Sequence, residues 1–556
     1  MLTKLANARV VDPGNGVNEV VGDLFLRDGR IVQPPAEAER VDRVYDLSGL
    51  IAMAGAIDLH THIGGGKVNL ARAMLPEIDR RDPLAATEVC GACFGGAAPS
   101  TLATGYRYAA MGYTACFEPA MLPVNARQAH MEMGDTPLVD KGAYALLGND
   151  DFFLRQLASG AAQPEINDYV GWTLRATQAM AIKVVNAGGI SAFKFNQRKL
   201  DVDEPHPHYR VSPRQVIRSL ARAVHELGVP HPLHVHASNL GVPGNVASTL
   251  STIEAAEGLP IHLTHVQFHS YGTEGDRKFS SAAQRIAEAV NHAPNVSVDV
   301  GQIIFGQTVT ASADSMLQHR NARHARPHKW VVMDIECDSG CGVVPFKYRD
   351  KDFVNALQWA IGLELFLLVR DPWRVFLTTD HPNGGPFTSY PHLIKLLMSR
   401  SFRNDALAAV HPAAAGLSSL RDLHREYSLY EIAIMTRAAP ARILGLHDRG
   451  HLGAGAAADV VVYEPHADPE PMFARPRYVF KDGELVVERG EVKAVSWGSI
   501  HTVKPEFDPG IERKLEDYFA RYQTMSMASF KVDDDEVRQC GRAPNLIVHP
   551  CRESAR

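Results

Sequence analysis

The chain has 556 residues, of which 45% are hydrophobic, and its 57 lysines and arginines against 63 aspartates and glutamates give a formal net charge of -6. This balance, with a pI near 6.5, excludes a surface dominated by nucleic-acid binding. The first residues lack the apolar core of a signal peptide, and no apolar stretch reaches the ~18 residues that a membrane span needs. We therefore expect a cytoplasmic protein that binds neither nucleic acid nor membrane.

The two ends of the chain have the sequence pattern of small antiparallel sheets. Residues 1–50 alternate apolar and polar positions around turn signals at Asp12-Pro13-Gly14 and Asp28-Gly29. The same pattern recurs near the other end of the chain, where Asp482-Gly483 marks another hairpin. We predict one composite β-sandwich domain built from residues 1–50 and 445–500.

The centre of the chain alternates short apolar runs with amphipathic segments. The predicted strands lie near residues 56–62, 113–122, 142–148, 189–196, 231–238, 261–268, 296–305 and 374–380. Helices are predicted between them, for example at 213–227, 247–257, 281–292 and 352–369. This alternation predicts a parallel sheet, and eight repeats predict a closed (β/α)8 barrel over residues 51–444. The active site of such a barrel lies at the carboxyl ends of its strands.

His60 and His62 stand two apart on the first predicted strand of the barrel. Both rings therefore leave the same face of the strand, roughly 7 Å apart at their Cα atoms, and two imidazoles there can share one metal ion. Taken alone, such a pair is more often a core or surface feature than a metal site. The interpretation therefore depends on partners elsewhere in the chain.

Further metal-competent side chains follow the later strands. Lys194 ends predicted strand four, His236 strand five, His265 strand six and Asp380 strand eight. With four histidines at the strand ends, two zinc ions bridged by hydroxide account for more of the pattern than isolated core residues do. We predict Asp380 as a catalytic residue as well as a ligand. Three more histidines, at 234, 262 and 381, are interpreted as supporting or packing residues.

Lys194 is the most unusual member of this set. It lies between Phe193 and Phe195 and, by strand alternation, points away from both rings. An ammonium that faces the barrel lumen is costly, so its pKa should fall, and a neutral amine can add carbon dioxide to form a carbamate. That carbamate would bridge the two metal ions. The alternative is a simple ion pair between Lys194 and Asp380.

Three segments resemble known families. Residues 54–62, Ala-Gly-Ala-Ile-Asp-Leu-His-Thr-His, are similar to the strand-one signature of the amidohydrolase superfamily, with alanine where many members have proline. Residues 452–462 resemble the segment by which chains of that superfamily re-enter the β-sandwich after the barrel. Residues 181–195, together with the full-length layout, resemble the family formed by the A subunits of formylmethanofuran dehydrogenase and of the bacterial formyltransferase/hydrolase complex.

The resemblance implies an activity, a metal centre and partners. It implies two Zn²⁺ ions bridged by N6-carboxylated Lys194, with the histidines and the aspartate named above as the other ligands. The implied reaction hydrolyses the formyl amide of formylmethanofuran, or of its bacterial analogue, to formate and the free carrier. It also implies a hetero-oligomeric complex in tetrahydromethanopterin-linked one-carbon metabolism. Asp380 would accept the proton of the attacking hydroxide and return it to the departing amine.

Two other functions stay open at this stage. A cyclic amidohydrolase of the hydantoinase or dihydroorotase type would share every ligand, although His236-Ala-Ser-Asn239 departs from the His-Ala-Glu-Asn of those enzymes. A noncatalytic scaffold of the same fold would be expected to have lost ligands. This chain keeps all six predicted ligands, which disfavours that alternative.

A basic insertion between predicted strands seven and eight overhangs the mouth of the barrel. Because the family's carrier bears a glutamate chain, its Arg320, Arg323, Arg326 and Lys329 are candidates to bind the carrier's carboxylates. The alternative is a solvated charged loop. Further candidates for substrate binding are Asn196 and Asn239.

Two features remain outside these assignments. Seven cysteines, an odd number, do not suggest a disulfide framework, and the pairs Cys90 with Cys93 and Cys337 with Cys341 are better explained as structural thiols than as metal ligands. Residues 501–556 mix apolar and charged positions. They form either a polar tail or an extension whose aromatic cluster at 518–522 docks on the barrel or on another protein of the complex.

Overall fold

The computed structural model describes residues 1–36, 38–74, 100–187, 201–313, 342–539 and 545–551. Within these ranges the strands, in chain order, are β1 (Leu2–Asp12), β2 (Val17–Arg27), β3 (Arg30–Val32), β4 (Arg43–Asp46), β5 (Ile51–Ala54), β6 (Ala56–Asp58), β7 (Tyr113–Met121), β8 (Asp140–Leu146), β9 (Ala181–Val185), β10 (Leu233–His236), β11 (Ile261–Leu263), β12 (Tyr271–Gly272), β13 (Ser280–Ser281), β14 (Val296–Asp299), β15 (Gly306–Ala313), β16 (Gly342–Tyr348), β17 (Val375–Phe376), β18 (Val460–Tyr463), β19 (Tyr478–Lys481), β20 (Glu484–Glu488), β21 (Glu491–Val492), β22 (Ser499–Val503) and β23 (Asn545–His549).

The α-helices of the described residues are α1 (Gly66–Met74), α2 (Thr101–Ala110), α3 (Ala126–Gly134), α4 (Asp151–Ala158), α5 (Gln163–Ala176), α6 (Pro213–Glu226), α7 (Val246–Ala255), α8 (Ala283–His292), α9 (Phe353–Leu368), α10 (Tyr390–Met398), α11 (Arg400–Ala409), α12 (Pro412–Gly416), α13 (Leu429–Ala433), α14 (Ala439–Leu444), α15 (Pro469–Ala474), α16 (Ile511–Tyr522), α17 (Met527–Phe530) and α18 (Asp534–Gln539). None of the described helices has the length and apolar character needed to cross a bilayer.

A nine-stranded sheet joins the two ends of the chain. Its order is β21-β20-β19-β18-β5-β1-β2-β3, with β4 also paired to β1, and the antiparallel pairing of β18 with β5 is the junction. Asp28-Gly29 and Asp482-Gly483 all have positive φ, which is the conformation that two-residue hairpins need. Buried apolar side chains of both ends, including Leu5, Leu26 and Phe480, form its core. The structure thus confirms a composite β domain made by both ends.

A second sheet contains the eight parallel strands of a barrel. They are β6, β7, β8, β9, β10, β11, β14 and β17, paired in that order. The first and last strands meet just beyond their ends, where Thr61 and His381 form a parallel bridge. The helices α2 to α9 lie between the strands in sequence, which confirms the predicted (β/α)8 barrel.

The helix α6 shows how local sequence sets these elements. Ser212 caps it and forms a capping box with Gln215, while Pro213 occupies the first turn, where no amide hydrogen is needed. Val216, Leu220 and their apolar neighbours at helical spacing are buried against the barrel. The predicted helix at 213–227 is therefore confirmed.

The fourth barrel strand differs from its prediction. In the sheet, the strand between β8 and β10 is β9, which ends at Val185. The predicted strand at 189–196, with Lys194, lies within residues 188–200, outside the described part of the chain. Residues 181–185 are apolar and β-branched apart from Lys183 and are buried on both faces, as an interior parallel strand requires.

The C-terminal residues pack on the outside of the barrel. The strand β22 pairs in parallel with β8, and β23 pairs in parallel with β22. The helix α16 lies beside α5, where Trp172 contacts Phe519 edge to face and stacks on Phe530 at 5.5 Å between ring centroids. These contacts extend the barrel sheet and cover one of its helices.

A buried ionic cluster joins the barrel, the terminal sheet and β22. The carboxylate of Asp140 on β8 lies 2.8 Å from Nε of Arg449 and 3.2 Å from Nζ of Lys481, and it accepts a hydrogen bond from the backbone amide of Ser499. Although burial opposes ionisation, Lys481 and Arg449 hold the pKa of Asp140 well below its ordinary value. The cluster therefore ties three parts of the fold to one carboxylate.

Candidate metal centre

The predicted ligands that the structure describes converge at one end of the barrel. His60 and His62 follow β6, His236 ends β10, His265 follows β11, and Asp380 follows β17. All five side chains are buried. Ligand atoms close enough to share a cation form three groups: His60 with His62 and Asp380, His236 with His265 and His269, and His60 with His234 and Asp299. The rings of His60 and His265 are 5.6 Å apart between centroids.

The first group is built around Asp380. Its Oδ1 lies 3.0 Å from Nε2 of His60 and 3.3 Å from Nε2 of His62. Within the described residues this oxygen has no partner with the geometry of a hydrogen bond, although both nitrogens are close. Three donor atoms that approach one another without pairing fit a shared cation.

Glu118 on β7 orients His62. Its Oε1 lies 3.0 Å from Nδ1 of His62, and its Oε2 accepts hydrogen bonds from the backbone amides of Ile63 and Gly64. A carboxylate on one ring nitrogen directs the other nitrogen at the metal, and such partners raise metal affinity. Glu118 was not predicted from the sequence.

The second group contains His236, His265 and His269. Their ligand atoms lie within 4.8 Å of one another. Among the described residues, Nε2 of His236 and Nδ1 of His265 are buried without a hydrogen-bond partner, which again fits a cation rather than a packed core. His269 was not predicted either. Its signal was a second histidine four residues after His265, and the two rings stack at 5.3 Å between centroids.

Backbone conformation helps to form this centre. His265 and Asp380 both have positive φ, at 36° and 51°, a conformation that is uncommon for residues other than glycine. Gly301 packs against His265 so closely that a Cβ there would lie 2.3 Å from the Cβ of His265. We infer that Gly301 is needed for the close approach of strand seven to the site.

The electrostatics of the site favour a cation. Burial lowers the pKa of His236 well below its ordinary value and that of His265 to about 3, so both rings are neutral, as ligands must be. Burial by itself also lowers the pKa of His62, but Glu118 and Asp380 raise it to about 9. Although burial opposes ionisation of Asp380 too, His265 and His60 keep its pKa well below the ordinary value. The neutral rings of His236 and His265 therefore suit a divalent metal ion, and Glu118 and Asp380 place negative charge beside His62.

Lys183 is a further buried residue of the barrel that was not predicted from the sequence. It lies on β9 in register with His234 of β10, so both side chains point into the barrel. The residue is 2% exposed, and its charge is among the factors that lower the pKa of His265, after burial. A buried lysine thus stands beside the second ligand group.

The remaining predicted site residues are only partly described. Asn239 follows β10, and its amide nitrogen donates to Asp201 at 2.7 Å and to Ser248 at 2.8 Å, so it serves the local structure. The others fall outside the described ranges, as do the cysteine pairs 90/93 and 337/341: Lys194, Asn196, Arg320, Arg323, Arg326 and Lys329.

The fold and the ligand groups define a class of protein. The chain belongs to the amidohydrolase family, whose sequence profile matches residues 43–487. Within that family it is similar to the A subunit of the formyltransferase/hydrolase complex Fhc of Methylorubrum extorquens, at 44% identity over 96% of this chain and 97% of the relative. It is also similar to protein FwdA of Methanocaldococcus jannaschii, at 39% identity over 96% of both chains.

Solved structures agree with this assignment. One chain of the formyltransferase/hydrolase complex FhcABCD from Methylorubrum extorquens, solved in complex with methylofuran, aligns with a TM-score of 0.91 at 42% identity, covering 99% of this chain and 100% of that one. A D-aminoacylase aligns with a TM-score of 0.51 at 13% identity, over 90% of this chain and 98% of its own. The second likeness concerns the fold alone.

Proposed function

We propose that this chain hydrolyses the formyl amide of a formylmethanofuran-like carrier to formate and the free amine, as the amidohydrolase component of a formyltransferase/hydrolase complex. The observation that carries the proposal is the convergence of two groups of candidate ligand atoms at the carboxyl ends of the barrel strands, several of them buried without a hydrogen-bond partner among the described residues. The similarity to the A subunit of Fhc, whose complex was solved with methylofuran, supports the choice of substrate and partners. The predicted cytoplasmic location and one-carbon metabolism belong to the same proposal.

The proposed cofactor is a pair of zinc ions. His60, His62 and Asp380 would hold one ion, and His236 and His265, with His269 beside them, would hold the other. Two such ions lower the pKa of a shared water and polarise an amide carbonyl.

The residues of this chain then move the proton and shield the reaction. Asp380 is buried beside both groups, and its Oδ1 is not committed to a hydrogen bond among the described residues. This carboxylate accepts the proton of the attacking water as the new C–O bond forms. It returns the proton to the amide nitrogen as the C–N bond breaks, so that the neutral amine and formic acid leave, and the acid gives its remaining proton to solvent as formate.

The bridging carboxylate would come from a carboxylated lysine. Lys194 was predicted from the sequence, but Lys183 is the lysine of strand four that the structure describes inside the barrel. Its position beside His265 supports Lys183 as the carboxylated residue. Carbon dioxide adds to the neutral Nζ, and the resulting carbamate loses one proton.

Metal analysis and a formate assay test the proposal together. The complex that contains this chain should hold two zinc ions per chain and release formate from N-formylated methylofuran. Dihydrouracil and hydantoin serve as control substrates, and neither should be opened. A metal-loaded complex that leaves the formyl carrier intact, or that opens either ring, would contradict the proposal.

The basic insertion provides a prediction about the carrier. The triple change Arg320→Ala, Arg323→Ala and Arg326→Ala should raise the KM for a carrier with a glutamate chain about tenfold, because each exposed ion pair contributes up to about 1 kcal/mol. The measurement is steady-state formate release. A carrier without glutamates is the matched control, and its KM should not change. If the wild type and the triple variant have equal KM values for the full carrier, the arginines do not bind it and the alternative of a solvated loop holds.

A further inference from the structure

A chain of buried histidines runs down the barrel from the first ligand group. Nδ1 of His60 lies 2.8 Å from Nε2 of His234, and Nδ1 of His234 lies 2.9 Å from Nε2 of His231. The ring of His231 also interacts with the backbone carbonyl of Ile443. All three rings are fully buried.

This row of histidines occupies positions that apolar side chains fill in most barrels. The lumen of a (β/α)8 barrel is a packed core dominated by branched aliphatic residues, and buried polar groups cost free energy unless they are hydrogen-bonded. Here His234 and His231 form a connected row that ends at a predicted ligand. That placement indicates a role toward the ligand rather than packing alone.

The hydrogen-bond chemistry of the row gives it a direction. Each contact of the row, 2.8 Å between His60 and His234 and 2.9 Å between His234 and His231, joins one donor and one acceptor nitrogen. If Nε2 of His60 holds a metal ion, its Nδ1 carries the proton and donates to Nε2 of His234. Nδ1 of His234 then donates to Nε2 of His231.

The far end of the row is the nitrogen that faces the metal position. When Nδ1 of His60 carries the proton, Nε2 has a free lone pair, and Nε2 is the atom 3.0 Å from Asp380. The hydroxyl of Thr264 also contacts Nδ1 of His60, and Oδ2 of Asp299 lies 3.3 Å from it. Every neighbour of this nitrogen can thus accept its proton.

We propose that His234 is a positioning residue that fixes the tautomer of His60 and thereby the affinity of the metal position made by His60, His62 and Asp380. The proposal rests on the proposed binuclear function, because it assigns His234 to one of the two ions. His60, His234 and Asp299 also form a group of candidate ligand atoms, but Nε2 of His234 is taken up by its 2.8 Å hydrogen bond with Nδ1 of His60. Its effect on the reaction passes through His60.

Zinc affinity of the intact complex is the readout. Wild-type protein should show two ions per chain in competition with a graded series of chelators. In His234→Leu one of the two ions should bind about 10- to 100-fold more weakly, while the other stays within about threefold of wild type. His234→Gln should restore the lost affinity, since its amide oxygen can lie where Nε2 of the ring lay and accept the same proton.

A matched control and thermal unfolding separate positioning from folding. His130→Leu makes the same chemical change at a buried histidine outside the row, which bonds the carbonyl of Thr177 at 2.8 Å, and should leave both affinities unchanged. Wild-type affinity for both ions in His234→Leu would overturn the proposal. So would equal weakening of both ions with a lower Tm, or a glutamine variant as weak as the leucine variant. If wild-type protein binds no metal, the proposed function itself fails.

Discussion

Asp380→Asn should lower the kcat of formate release by about 10²- to 10⁴-fold and leave the fold intact. The amide keeps the shape of the side chain but cannot accept the water's proton or return it to the amine. It also removes one negative charge from the position shared with His60 and His62, so that weaker metal binding adds to the loss. The measurement is turnover of the formyl carrier by the purified complex at saturating substrate, with metal content determined on the same sample.

The control for this variant is Asp517→Asn, an exposed aspartate on α16. It makes the same chemical change far from the barrel mouth and should behave as wild type. Thermal unfolding of both variants shows whether the fold is kept. Near-normal turnover in Asp380→Asn, with both metal ions present, would remove Asp380 from proton transfer.

Lys183→Ala should lose a bridging ligand and reduce both metal content and kcat, the latter by about 10²-fold or more. The reason is geometric, since Lys183 belongs to the strand between β8 and β10 and points into the lumen beside the second ligand group. Added acetate should restore part of the metal binding, because a small carboxylate can take the place of the carbamate. Zinc per chain, measured with and without acetate, is the direct readout.

Lys194→Ala is the matched comparison, because it removes the lysine predicted from the sequence. If Lys183 is the carboxylated residue, Lys194→Ala should keep both ions, and added acetate should not change its zinc content. The reverse pattern would assign the bridge to Lys194. Full metal content in both variants without acetate would contradict a carbamate on either residue.

Most of the barrel was predictable because its strands are short apolar runs and the functional residues lie on them or directly after them. His60, His62 and His236 lie on or directly after apolar runs, so recognising the run also located the ligand. Strand four was misplaced because two apolar runs compete for the role. Residues 181–185 and 189–196 both satisfy the local pattern, and the neighbours in the sheet decide between them. Such pairing is a long-range property that one sequence does not display.

The supporting residues of the site were harder to predict for a similar reason. Glu118 acts on His62 from the neighbouring strand, and His234 acts on His60 from across the barrel. Neither has a local motif that marks it as functional. His269 is different, because its spacing from His265 was visible and was not used. The ligands thus follow from sequence pattern, while their orientation follows from tertiary contacts.

The ionic cluster around Asp140 bears on the order in which this protein can mature during synthesis. Arg449 comes 309 residues after Asp140 and Ser499 comes 359 residues after it. A ribosome-bound chain of roughly 440 residues has every barrel strand but lacks Arg449, Lys481 and Ser499, so the contacts that tie β8 to the terminal sheet and to β22 cannot form. Such a nascent chain should be cut by proteases that spare the released protein, and resistance at that length would disprove the dependence. Completion of the enzyme core is thereby coupled to the end of translation.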